Sequence, residues 1–137
     1  MKKNNKGFTL MEMLIVVAII GVLVAIAIPT VSNSLTKSKQ AADQANVRSA
    51  YAEASTKFLL GEGGSAQAGP MKADCAADVE IGGIKFVSSP DSNDKTQAKA
   101  WSANDTVKVS VDASGAKFTI ESATSGGGGG DASTDAE

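Results

Sequence analysis

The sequence predicts an α+β chain: a long N-terminal α-helix packed on a small antiparallel β-sheet of about four strands. Three observations predict it. An almost unbroken apolar run extends from Phe8 to Val31, with Glu12 its only charged residue. The next segment, Ser32 to Leu60, is polar and alanine-rich up to the glycines at 61, 63 and 64, which suit a helix end. Beyond Asp78, short stretches alternate apolar and polar residues with the two-residue period of half-buried strands.

The chain opens with a basic, polar leader, residues 1–7, carrying Lys2, Lys3 and Lys6 and ending at Gly7. Roughly 20 apolar residues cross a bilayer core as a helix, and Phe8 to Ile28 supplies that length. Lysines before the run and none immediately after it place the N-terminus in the cytoplasm and the rest, from about Lys37 to Glu121, outside. An ordinary secretory signal carries its small-residue cleavage site after the apolar region. No such site follows Val31, and the small residue Gly7 precedes the run instead. Glu12 is the second anomaly. An acid near the centre of a membrane helix costs about 2.5 to 3.5 kcal/mol, and one kept there asks for a partner. The plainer alternative is that Glu12 sits at the interfacial edge of an anchor helix.

One helix is expected over residues 8–60, with 8–31 in the membrane. At 1.5 Å per residue it is about 80 Å long. Pro29 removes a backbone donor and should kink or loosen the turn before it, and Gly21 weakens the helix further. In the outer part, Val47, Ala50, Tyr51, Ala54 and Phe58 recur at spacings of three and four, one apolar face that should pack on a sheet. Residues 61–121 form the expected head. Gly61 to Ala73 reads as a connector, Asp78 to Val87 as a hairpin turning at Gly82-Gly83, and Ser88 to Asp105 as a polar loop with the single tryptophan, Trp101. Thr106 to Asp112 and Lys117 to Glu121 alternate cleanly around a turn at residues 113–115, giving a second hairpin. Residues 122–137 are glycine-rich and acidic, with nothing to bury, and read as a flexible tail.

Chemistry finds little raw material. The chain has no histidine and one cysteine, Cys75, so zinc and Cys-His sites are excluded, as is an internal disulfide. Cys75 reads as a small buried hydrophobe, or else as an exposed thiol or intermolecular bridge. Asp91, Asn93 and Asp94 crowd oxygens together as a weak metal candidate, but without the glycine and distal glutamate of an EF-hand loop they suit a turn held by Asx side chains better. No nucleophile elbow or phosphate loop is present, which argues against an enzyme, and no cofactor is called for. Losing the leader would leave ten basic residues against fifteen acidic ones, opposing a general affinity for nucleic acid. Lys37, Lys39 and Arg48 remain a possible local basic patch or, more simply, solvated helix positions.

Gly7-Phe8-Thr9-Leu10-Met11-Glu12, with Gly21 and Pro29 downstream, resembles the class III signal of type IV pilins and their pseudopilin relatives. The resemblance covers about the first 30 residues. It implies cleavage between Gly7 and Phe8 by a prepilin peptidase, N-methylation of Phe8, and assembly into a helical homo-oligomeric filament. An assembly ATPase and a platform protein would draw subunits from the cytoplasmic membrane to the cell surface. It also implies that Glu12 of one subunit is neutralised by the new terminus at Phe8 of another, and that Gly21 to Pro29 extends on assembly rather than forming a static kink. Secretion-type relatives bind calcium in their C-terminal region, which keeps Asp91, Asn93 and Asp94 in view. The expected function is a pilus subunit. The alternatives are a pseudopilin of a secretion or competence machine, and an uncleaved membrane-anchored binding protein. Lacking an internal disulfide is compatible with a Gram-positive or anaerobic source.

Overall fold

The computed structural model describes residues 7–123. The expected tail beyond residue 123 and most of the leader therefore lie outside the described residues. One helix, α1 (Leu10–Leu59), is followed by six strands: β1 (Gly64–Ala68), β2 (Glu80–Ile81), β3 (Ile84–Val87), β4 (Gln97–Lys99), β5 (Thr106–Asp112) and β6 (Gly115–Glu121). The chain divides into a unit ending at Ser38 and a second unit beginning at Lys39.

In the first unit the helix is continuous through both Gly21 and Pro29. The proline nitrogen cannot bond the Ala25 carbonyl. Next to it, the Thr30 hydroxyl donates to the Ile26 carbonyl at 3.2 Å, and Ser34 and Thr36 make the same backward bonds to Thr30 and Ser32. Such hydroxyls loosen or bend a helix locally without ending it.

The second unit holds the core. Val47, Ala50 and Ala54 are buried on one face of α1. They meet Ala68, Val107, Val109 and Phe118 of a sheet ordered β1-β5-β6, and Ile81, Ile84, Phe86 and Ala98 of a sheet ordered β2-β3-β4. Phe86 joins the two sheets, lying edge-on to Phe118 with ring centroids 5.1 Å apart and edge-on to Trp101 at 5.0 Å. The expected apolar stripe is thus present, although Tyr51 is half-buried and Phe58 stays 39% exposed.

Both expected hairpins form. β2 and β3 turn at Gly82 and Gly83, whose positive φ angles (62° and 77°) suit a type I′ turn. Gly82 has a second constraint, since a Cβ there would come within 2.8 Å of the Tyr51 ring. The sheets differ in detail from the expected single sheet of about four strands. β1 lies in the stretch read as a connector, and pairs antiparallel with β5 from Gly64↔Val111 to Ala68↔Val107. β4 lies in the stretch read as a loop, and its pairing with β3 is parallel. Neither segment has a readable period. β1 alternates only glycine, serine, alanine and glutamine, and β4 has three residues. Their strand character comes from the edges they join.

Phe86→Ala removes the ring shared by the two sheets and should destabilise the head by about 3 to 5 kcal/mol. Urea unfolding of the detergent-solubilised chain, followed by Trp101 fluorescence, measures it.

Candidate functional site

At the start of α1, Thr9 and Glu12 bond each other reciprocally. The Thr9 backbone N–H donates to Glu12 Oε2 at 2.9 Å, and the Glu12 N–H donates to Thr9 Oγ1 at 3.3 Å. This is a capping box, which satisfies two of the orphan donors of a helix N-terminus. It gives Glu12 a partner within its own chain, and the carboxylate also complements the positive end of the helix dipole. The sequence reading missed this, although Thr9-x-x-Glu12 ahead of an apolar run is the signature of such a box. Gly7 and Phe8 precede the helix, with Phe8 81% exposed. The predicted cleavage bond and the predicted carboxylate therefore lie within one helix-starting segment.

From Leu10 to Leu35 nearly every large apolar side chain of α1 is exposed. Among the described residues, α1 is the one helix long and apolar enough to cross a membrane. Gly21 has open space around it.

In the head, a second polar element emerges that sequence reasoning did not single out. Asp43 is fully buried on the same helix face as Val47, Ala50 and Ala54. Its Oδ2 accepts the backbone N–H groups of Lys72 and Ala73, both at 2.8 Å. One turn earlier, Gln40 Nε2 donates to the Asp74 carbonyl at 3.2 Å. The same loop is bonded to residues 101–105. The Cys75 N–H reaches the Trp101 carbonyl at 2.9 Å and the Met71 N–H reaches the Asp105 carbonyl at 2.9 Å. The Asn104 N–H donates to the Met71 carbonyl, and the Ala103 N–H to Asp74 Oδ1. Two loops without regular structure are thereby fixed to each other and to α1. The signal was the 43-47-50-54 spacing, which places an aspartate in the apolar stripe.

Cys75 lies in this seam, half-buried and free. Burial pushes its thiol up to about 11, with a hydrogen bond from the Trp101 backbone pulling the other way. Asp91, Asn93 and Asp94 form turns closed by side chains. The Asn93 N–H donates to Asp91 Oδ1, the Thr96 N–H and hydroxyl both donate to Asp94 Oδ1, and Gln97 Nε2 donates to Asp94 Oδ2. The Thr96 hydroxyl, foremost, holds the Asp94 carboxyl below its usual range. No group of three or more possible metal ligands occurs among the described residues. Lys37, Lys39 and Arg48 show no ion pair among the described residues.

A family model described as the prokaryotic N-terminal methylation motif matches residues 2–28. The chain is 50% identical over 48 residues to the type IV major pilin protein PilA of Myxococcus xanthus, covering 35% of this chain and 22% of that one. It is 59% identical over 39 residues to a type IV major fimbrial protein FimA of Dichelobacter nodosus, 28% of this chain and 25% of that one. With those relatives the chain spans only about a quarter of their length, confined to one segment. The similarity to the type IV narrow pilus major component PilA5 of Thermus thermophilus is broader: 36% identity over 119 residues, 84% of this chain and 85% of that one. No solved structure matches the chain.

Asp43→Ala should cost about 2 to 4 kcal/mol, because two buried amides lose a charged acceptor. Asp43→Asn keeps an acceptor and should cost less. Urea unfolding gives both values, and hydrogen exchange should show the Lys72 and Ala73 amides losing protection in the alanine variant first. For Cys75, a thiol shifted from 9.0 to about 11 should react with iodoacetamide at pH 8 about a hundredfold more slowly than an unburied thiol. Its rate should keep rising with pH until about 11. Labelling at the rate of a free thiol would contradict the burial.

Proposed function

The chain belongs to the type IV pilin family, and on that premise we propose that it is a structural subunit of a type IV pilus rather than an enzyme. The observation that carries the reading is the surface of α1, whose apolar side chains from Leu10 to Leu35 are exposed and need a non-aqueous neighbour. A membrane supplies one for the precursor, and copies of the same helix supply one in a filament. Packing of apolar side chains then holds the filament core, since leaving lipid for water would expose the whole run. Similarity over most of the chain to a narrow pilus major component favours a pilus over a secretion pseudopilin.

In this reading the precursor spans the cytoplasmic membrane once with its N-terminus inside. A prepilin peptidase cuts between Gly7 and Phe8, and Phe8 is methylated on its new amino group. An assembly ATPase and platform protein move the subunit into the growing fibre. Cleavage leaves Thr9 and Glu12 intact, so the capping box survives into the mature chain. It also puts an ammonium on Phe8. Glu12 of an arriving subunit is then within the chemistry of an ion pair with Phe8 of one already placed. A buried carboxylate left alone is costly and one paired is tolerated, so the pairing rewards a particular axial register. Pro29 and Gly21 mark where the helix has fewest internal restraints, and any lengthening on assembly starts there.

Mass spectrometry of sheared surface filaments tests this. The chain should begin at N-methylated Phe8, whereas a chain beginning at Met1 would refute the processing. Glu12→Leu should leave membrane insertion intact and reduce sheared filament by about tenfold or more, because the Phe8 ammonium loses its counter-charge. Full filament yield from that variant would remove Glu12 from assembly.

A further inference from the structure

One edge of the β1-β5-β6 sheet is open. β1 is the outer strand of that order, and among the described residues no strand pairs with its free side. Its backbone shows which groups face outward. The Ser65 N–H donates to the Gly63 carbonyl at 3.0 Å, and the Ser65 carbonyl accepts Lys57 Nζ at 3.4 Å. Both groups of Ser65 therefore point away from β5. Alternate residues of a strand share that direction, so Gln67 turns its own N–H and carbonyl to the same side. Open strand edges invite a further strand, and proteins commonly blunt them with charge or proline. β1, Gly-Ser-Ala-Gln-Ala, has neither.

A trough runs along this edge. Asn46, Ser49, Glu53 and Lys57 of α1 form one wall, and Gln67 of β1 with Lys108 of β5 lies on the other. Its two parts, about 610 and 350 Å³, share Glu53 and Gln67. Lys57 and Lys108 pair with Glu53 and Glu121 at 2.6 Å, both half-exposed. Pairs of that kind contribute little and exchange readily for another carboxylate.

The chain carries an occupant for the trough. β6 ends at Glu121, opposite Thr106, and Ala68 of β1 lies opposite Val107, the next residue. The chain therefore leaves the sheet at the end where β1 also finishes, two strand spacings or about 10 Å away. Residues 122–130, which close with five glycines, span up to about 30 Å when extended. Residues 131–137 then read Asp-Ala-Ser-Thr-Asp-Ala-Glu and lie outside the described residues. Asp131, Ser133, Asp135 and Glu137 alternate with Ala132, Thr134 and Ala136, the two-residue period of a strand with one acidic face. A segment turning back along the open edge would run antiparallel to β1, and seven residues suffice for the five of Gly64–Ala68.

We propose that residues 131–137 dock as an added strand on the free edge of β1 in the same chain, bonding the Gln67 main chain and setting their acidic face against Lys57 and Lys108. Main-chain hydrogen bonds and charge hold the segment, since it has no large apolar side chain to bury. The inference does not depend on filament assembly.

Hydrogen exchange of the detergent-solubilised chain, compared with a chain ending at Ser125, tests it. The Gln67 amide should exchange about tenfold or more slowly in the full chain than in the shortened one. The Val107 and Val109 amides should exchange alike in both, showing that the head is intact. Asp135→Lys/Glu137→Lys should lose the Gln67 protection as the shortened chain does. Equal exchange at Gln67 in the full and shortened chains, or protection that survives the charge reversal, would overturn the proposal. A photo-crosslinking amino acid at position 134, in a mixture of light and isotopically heavy chains, should join the trough within a single isotopic form. Products joining light to heavy chains, or reaching other surfaces, would overturn docking within one chain.

Discussion

An apolar helix surface that is never allowed to meet water governs the rest of this molecule. From Leu10 to Leu35 the large apolar side chains of α1 are exposed, none of them buried among the described residues. Burying one such side chain is worth about 1.5 to 3 kcal/mol, so a row of them outweighs any single polar contact the segment makes. Every other feature of the segment is compatible with that demand. The backbone satisfies itself as a helix, which lipid requires. Its first turn is closed by Thr9 and Glu12, so the one charged group in the run also serves the helix that carries it. Hydroxyls near Pro29 turn back onto the helix's own carbonyls.

The head solves a different problem, how to order a small domain of short strands and long loops without a disulfide. Small domains with thin cores commonly need a staple. Here the staple is polar. Asp43 carries a carboxylate into the apolar stripe of α1 and holds two loop amides, and the loop in turn holds residues 101–105. The aromatic contacts of Phe86 with Trp101 and Phe118 then close both sheets over the helix. Hydrogen bonds to a charged acceptor are worth about 1.5 to 3 kcal/mol each, offset in part by taking the Asp43 carboxylate out of water with its Oδ1 unbonded among the described residues. Cys75 within it contributes burial, and its raised pKa keeps it a thiol at neutral pH.

How much of this was legible in the sequence depended on whether an element announced itself by period. The helix was read to within two residues at its start and one at its end, because an apolar run followed by a three-and-four stripe has no other explanation. The two hairpins were legible for the same reason, with Gly82-Gly83 marking the tight turn. β1 and β4 were not, since small or few residues leave no alternation to see. Trp101 fell in a stretch dominated by polar residues, and only the fold shows that its ring is buried. Asp43 was hidden among the scattered charges of Ser32 to Leu60, where its partners are loop amides about thirty residues away. Thr9-x-x-Glu12 has the spacing of a capping box, but a carboxylate in an apolar run points first to a partner outside its own turn. The motif around Gly7 and Phe8 carried the family, and similarity over most of the chain supports it.

The central claim is that α1 exchanges lipid for copies of itself in a register set by Glu12. A high-resolution reconstruction of the sheared filament tests it most directly. The expected map traces each chain from Phe8, packs α1 helix against helix at the centre, places the sheets outside, and brings Glu12 within about 4 Å of the amino group of a neighbouring Phe8. A filament with α1 at its periphery, or with Glu12 facing solvent and no neighbouring terminus in reach, would contradict it.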